Sequence, residues 1–178
     1  MTSSLQIENA RLISLMHDGS SLGLQPSDWR KPLERATPDP AVGIRHEQIS
    51  GNANYRLHVA AIPQQVGCHY HANGDEDYAV VEGTGVLFFG PVVNGTVVPD
   101  TWKSIAVRVG DSFVIPEGYA HQLRKIGAAD LTIVFGCPDS HLSDDSDRYL
   151  LPDAPRMVGG LSADQNQIDL NFLNEHSS

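Results

Sequence analysis

Short apolar runs alternate with polar punctuation along most of this chain. From about residue 41 the runs VGIRHEQI, YRLHVAAI, YAVVEG, GVLFFG, SIAVRVG, SFVIPEG, HQLRKI and LTIVFG follow one another. Gly, Asn, Asp or Pro separates them roughly every ten residues, the spacing of strands in an all-β sandwich or barrel. No long segment of this region repeats its apolar residues at the helical period. The pattern predicts an all-β sandwich or barrel over residues 41–138, with an arm before it and a different segment after it.

The arm, residues 1–40, is mixed. Leu5, Ile7, Leu12, Ile13 and Leu15 are expected to pack as a short strand or helix. QPSDWRKPLERATPDP then carries four prolines in 16 residues and reads as an ordered arm or a loop, with Trp29 as a packing anchor. After Pro138 the chain turns polar and acidic, DSHLSDDSDRYLLPDAP. Residues 139–178 either cover the barrel mouth, with Tyr149 or Arg148 near a substrate, or trail along the surface. The acids near 143–147 lack the glycine and distal Glu of a calcium loop and read as a solvated turn.

Composition narrows the function classes. A chain of 178 residues favours one domain. Its net charge of −10 argues against nucleic acid and against an anionic membrane surface, both of which need a basic face. Cys68 and Cys137 stand far apart, with no CxxC pair, and fit two reduced thiols in a cytoplasmic protein. The start, MTSSLQIENARLISLMHDG, lacks the form of a signal peptide, and no apolar run reaches membrane-spanning length.

Candidate chemistry concentrates in VGCHYHANGDEDYAVVEG, residues 66–83. In a strand, residues two apart share a face, so His69 and His71 point the same way. The turn ANGD follows, and Glu76 opens the next strand with Tyr78 and Val80 on its face. Chance, a solvated polar loop and a metal site all produce such a stretch. A hairpin here would bring two imidazoles and a carboxylate to one interior point, a donor set that suits several divalent metals. GDSFVIPEGYAHQLRK offers a fourth donor, His121, after a turn at Pro116 and Gly118.

Together these two stretches resemble the cupin family. The first cupin motif is G-x5-H-x-H-x3-4-E-x6-G, matched by His69, His71, Glu76 and Gly83, with the leading glycine displaced to Gly67. The second is G-x5-P-x-G-x2-H-x3-N, matched by Gly110, Pro116, Gly118 and His121, with Lys125 in place of the final Asn. The resemblance spans about residues 55–136. It implies a double-stranded β-helix, the jelly-roll-like cupin barrel. It also implies one divalent metal ion (Fe, Zn, Ni or Mn) held by His69, His71, Glu76 and His121, and a homodimer.

Further residues carry expectations of their own. Lys125 and Arg56, if they face inward, would bind an anionic substrate. His58 shares a face with Arg56 and is a candidate proton shuttle, as are Glu76 and Tyr78. Phe88, Phe113, Ile115, Leu123 and Phe135 are expected to form the apolar barrel wall. Neither cysteine is expected to reach the metal. Asp75 and Asp77 read first as solvated turn acids, with acceptance from a ligand imidazole as the alternative for one of them, and His46 and His141 read as surface histidines.

Three functions fit this constellation. One is a metal-dependent enzyme working by Lewis-acid and proton-transfer chemistry on a small oxygenated metabolite, a sugar derivative or a hydroxy or keto acid. Isomerases, epimerases, lyases and cyclases share that machinery. The second is a non-haem Fe(II) dioxygenase. The third is a non-catalytic barrel that binds a small molecule.

Overall fold

A computed structural model describes residues 25–142 and 147–155. Helix α1 (Pro26–Leu33) comes first, followed by twelve strands. They are β1 (Thr37–Asp39), β2 (Ile44–Gly51), β3 (Tyr55–Ile62), β4 (His69–Tyr70), β5 (Glu76–Glu82), β6 (Thr84–Val93), β7 (Thr96–Val97), β8 (Lys103–Arg108), β9 (Ser112–Ile115), β10 (Tyr119–Ile126), β11 (Leu131–Pro138) and β12 (Tyr149–Leu150). One sheet runs β1-β2-β3-β11-β5-β9. The other runs β12-β4-β10-β6-β7, with β8 also on β6. The pairings are antiparallel, as a jelly-roll-like barrel requires.

The two sheets bury their facing sides against each other. Ile62, Val80, Ile133 and Phe135 from the first sheet meet Leu87, Phe89, Val107 and Leu123 from the second in one apolar core. Several strands read as almost unbroken apolar runs because their outer faces are covered too. Val59 of β3 and Val134 of β11 point outward, beneath Trp29 of α1.

That helix replaces the arm or loop expected from its prolines. Pro26 occupies the first turn, where its missing N–H costs nothing. The Asp28 carboxylate accepts the Gln25 N–H at 2.8 Å and so fixes the helix start. Trp29 is the expected anchor. The apolar set from Leu5 to Leu15 lies outside the described residues, as do residues 143–146 and 156–178. Among the described residues no helix is long and apolar enough to cross a membrane.

Phe113, Ile115, Leu123 and Phe135 line the core as expected, but Phe88 does not. It turns outward with Val86 and packs on Trp102 and Ala154, leaving Leu87 and Phe89 inside. Gly83, which closes the first motif, links β5 to β6 with φ +79°, and a side-chain carbon there would strike the Asp130 carbonyl. Gly83→Ala should therefore destabilise the fold by about 1–3 kcal/mol. The shift in urea midpoint measures it, and an unchanged midpoint would show that the turn yields freely.

Candidate metal centre

The expected hairpin between His71 and Glu76 does not form. His69 and His71 belong to the β4 side of the molecule, and β4 pairs with β10 and β12. Glu76 opens β5, which pairs with β11 and β9 in the other sheet. The ANGD turn thus carries the chain across the mouth from one sheet to the other. The Pro116–Gly118 turn makes the same crossing from β9 to β10. The two turns lock together: Gly118 N–H donates to the His71 carbonyl at 2.7 Å, and Glu117 N–H donates to Asp75 at 2.9 Å.

The consequence is convergence from opposite sides. His121 lies directly across from His69 in the β10–β4 register. Its Nε2 is 3.1 Å from Glu76 Oε2, and His71 Nε2 is 3.4 Å from the same oxygen. Donor atoms of His69, His71, Glu76 and His121 all lie within 4.8 Å of one another, and all four residues are buried. Two metal–ligand bonds of about 2.1 Å span about 4.2 Å at most, so a small inward adjustment closes the set round an ion.

Hydrogen bonds orient the three rings. Nδ1 of His69 donates to the Gly67 carbonyl at 2.7 Å, Nδ1 of His71 to the Asp147 carbonyl at 2.8 Å, and Nδ1 of His121 to the Tyr119 carbonyl at 3.1 Å. A carbonyl only accepts, so each Nδ1 carries the proton and each Nε2 presents a lone pair inward. Asp75 and Asp77 play no such part. Asp75 holds the Glu117 amide, and Asp77 accepts from the Tyr55 hydroxyl.

Electrostatics agree with a cation site. Burial, and then the neighbouring His121, push the His69 ring well below its usual range, keeping it neutral as a ligand must be. Burial alone would raise Glu76, but the surrounding His121, His141 and His71 rings overcome it and hold the carboxyl well below its usual range. Tyr78 shares that inward face, and its hydroxyl donates to Glu76 Oε2 at 3.0 Å. His71 Nε2 is buried and lacks a hydrogen-bond partner. An inward lone pair without a partner beside a buried anion is the environment a divalent ion satisfies.

His141, expected at the surface, is fully buried instead. Its ring stacks on His71 with centroids 3.8 Å apart. Nε2 donates to the Asn73 carbonyl at 2.8 Å, which leaves Nδ1 with a lone pair, 3.7 Å from Glu76 Oε1. Burial works against the charged ring, but Glu76, the Asn73 carbonyl and Asp147 outweigh it and raise its pKa. Cys137 also turns inward, against expectation. Phe135 and Cys137 share the inner face of β11, so the thiol lies within 4.8 Å of donor atoms of Glu76 and His141.

The sequence profile described as Cupin matches residues 50–146, more than half of the chain. The chain belongs to the cupin family. Among solved structures it resembles CapF bound to 3-isopropenyl-tropolone, with TM-score 0.53 and 22% identity, over 66% of this chain and 34% of that one. A Streptomyces PAC13 variant with uridine aligns with TM-score 0.50 and 10% identity over 69% and 90%. The formate complex of Lactobacillus farciminis oxalate decarboxylase aligns with TM-score 0.47 and 14% identity over 58% and 31%. The chain thus spans about a third of CapF and of the oxalate decarboxylase. A search of curated proteins finds no match.

This cupin keeps its remaining expected site residues outside the cavity. Glu76, Tyr78, His69, His71 and His141 line that cavity, together with Arg148. Arg56 instead pairs with Asp139 at 3.1 Å and Gln48 at 3.2 Å. Lys125 lies at the far end of β10, where Nζ donates to the Ala128 carbonyl at 3.1 Å and faces Asp130 at 3.6 Å. His58 does face inward, but it stacks on Phe135, which stands between it and the cavity.

Both ring nitrogens of His58 are buried without a hydrogen-bond partner. Burial, with His46 adding to it, lowers the ring from 6.5 to about 4. Above pH 6.5 the ring is neutral in the folded and the unfolded chain alike. Between 6.5 and about 4 only the unfolded chain takes the proton, so stability falls as the pH falls through that window. His58→Phe should flatten part of the decline. Urea midpoints at pH 7 and pH 5 test this, and an equal decline in both proteins would clear His58 of it.

Proposed function

We propose that this cupin is a metal-dependent enzyme that moves a proton on a small oxygenated metabolite, as in an isomerisation, epimerisation, lyase or cyclase reaction. His69, His71, Glu76 and His121 would hold the ion. A bound divalent metal would supply Lewis-acid polarisation of a substrate carbonyl or hydroxyl.

The observation that carries the proposal is His141. Its Nε2 is occupied by the Asn73 carbonyl, and its Nδ1 is an unpartnered lone pair at the cavity wall. A ligand set needs no such group, whereas proton transfer needs a base within reach of the substrate. Tyr78, on the same wall, would donate its single hydroxyl proton to the substrate in place of Glu76.

One experiment covers the whole class of reactions. The full-length chain, loaded in turn with manganese, zinc, nickel and iron, is incubated in D₂O with a panel of hydroxy acids, oxo acids and sugars. Exchange of a carbon-bound proton, followed by NMR, is expected and should disappear in His141→Gln at unchanged metal content. Substrate-dependent oxygen consumption without exchange would replace this reading with a dioxygenase. Tight binding without either signal would leave a ligand-binding barrel.

A further inference from the structure

The cavity beside the candidate ligands is chemically lopsided. Its imidazoles, carboxylate and phenol gather at one end. Val42, Ile44, Val66, Ile133, Phe135 and Leu142 make most of the rest of the wall, and these offer no hydrogen-bonding side chain. Among the described residues one cation lines it, Arg148. Its empty space is about 380 Å³, with the open solvent at its mouth included.

Arg148 is held in register with the candidate metal ligands. It directly precedes β12, whose Leu150 pairs with His69 and whose Tyr149 pairs with Tyr70. Its Nη1 donates to Asp39 Oδ2 at 2.8 Å. Asp39 is itself fixed, because its other oxygen accepts the Ala41 N–H at 3.1 Å. Among the described residues, Asp39 is the single ion-pair partner of Arg148. A guanidinium has five N–H donors in a planar fork, so a second carboxylate can be accommodated.

We infer that the substrate is a small carboxylic acid with an apolar body. Its carboxylate rests on Arg148, its body lies along the apolar wall, and a second oxygen reaches the histidine–glutamate end. This rests on reading that end as the metal centre. A polyhydroxylated sugar fits poorly, since each hydroxyl left facing the apolar wall gives up its bonds to water and gains none. The inference therefore narrows the substrate from sugars and acids together to acids.

The experiment compares 4-oxopentanoate, its amide, D-glucose and glucose 6-phosphate by calorimetry on the full-length chain, metal-free and manganese-loaded. The acid is expected to bind at least about tenfold more tightly than the amide, a preference that Arg148→Gln should erase. Asp39→Asn frees the guanidinium and should preserve or strengthen acid binding. Equal affinity for acid and amide, including no binding of either, would overturn the inference. So would tighter binding of glucose or its phosphate. Equal weakening in Arg148→Gln and Asp39→Asn would reduce the ion pair to a structural strap. A chain that takes up no manganese yet still prefers acid over amide through Arg148 would retain this inference and lose the metal reading.

Discussion

Purified His121→Ala protein should carry no stoichiometric divalent metal, whereas the native chain should carry about one ion. His121 stands where β10 pairs with both β4 and β6, with its ring almost wholly buried. Its Nδ1 is tied to the Tyr119 carbonyl and its Nε2 approaches Glu76 within 3.1 Å. Loss of a residue that merely orients a ligand commonly costs about 10–100-fold in metal affinity, so loss of a ligand should exceed a hundredfold. Because the ion binds the folded chain, it should also raise the melting temperature of the native protein and leave that of the variant unmoved. His121→Gln controls for the void left by alanine, since its amide fills part of that space and can donate to Glu76. Elemental analysis of untagged protein, with melting curves in the presence and absence of the ion, gives the answer. Full metal content in both variants would place the ion elsewhere, and the buried group His71, His141 and Asp147 would become the next candidate.

The part of the site that is legible in the sequence is the part that obeys strand alternation. Glu76 and Tyr78 share a face because they are two apart on β5, and His121 and Leu123 do so on β10. Spacing also places the turns at Gly83 and Gly118 correctly. It does not show that consecutive strands fall in different sheets. The ANGD turn looks like a hairpin loop, and only the pairing of β4 with β10 and β12 makes it a crossover. The run VLFFG of β6 is apolar on both faces, so alternation gives no phase, and Phe88 takes the face opposite to the one expected, leaving the core to Leu87 and Phe89. Such runs arise wherever something covers the outside of a barrel. In this cupin Ala154 and Trp102 cover β6, and Trp29 covers β3 and β11.

His141 and Asp147 lie beyond this kind of reading for another reason. They sit about seventy residues after His71, which both touch, in a stretch without a repeating pattern. The one usable signal is the segment DSHLSDDSDRY itself, in which His141, Leu142 and Tyr149 are the residues least suited to a solvated acidic turn. That segment also puts Tyr149 or Arg148 forward as a residue near a substrate; Arg148 lies on the cavity wall, whereas Tyr149 is exposed. The role of residues 147–155 is also plainer in three dimensions. They form a packed edge of the barrel: β12 pairs with β4, and the Asp153 carboxylate accepts from Gln122 at 2.8 Å and from Gln65 at 3.0 Å.

Asp147→Ala should weaken metal binding about 10–100-fold although Asp147 is outside the group of four candidate ligands. Its carboxylate accepts the backbone N–H groups of Ala72 and Asn73 at 2.8 and 2.6 Å. Those residues form the turn that carries the chain from His71 to Glu76, so one side chain fixes the spacing between two ligands from opposite sheets. Its main-chain carbonyl also takes the Nδ1 proton of His71, which sets the direction of the Nε2 lone pair. Alanine preserves that carbonyl and removes the carboxylate, leaving two amide donors without their charged acceptor. Such a loss costs about 1–3 kcal/mol for each group that water cannot reach. Asparagine retains one accepting oxygen and should fall between alanine and the native residue. Hydrogen exchange at the amides of Ala72 and Asn73 separates the local effect from a general loosening: their protection should drop while that of β6 and β10 persists. If metal affinity in Asp147→Ala matched the native value while those amides exchanged freely, the turn would not govern the site. His71 would then be positioned by its stacking on His141 and its bond to the main chain alone.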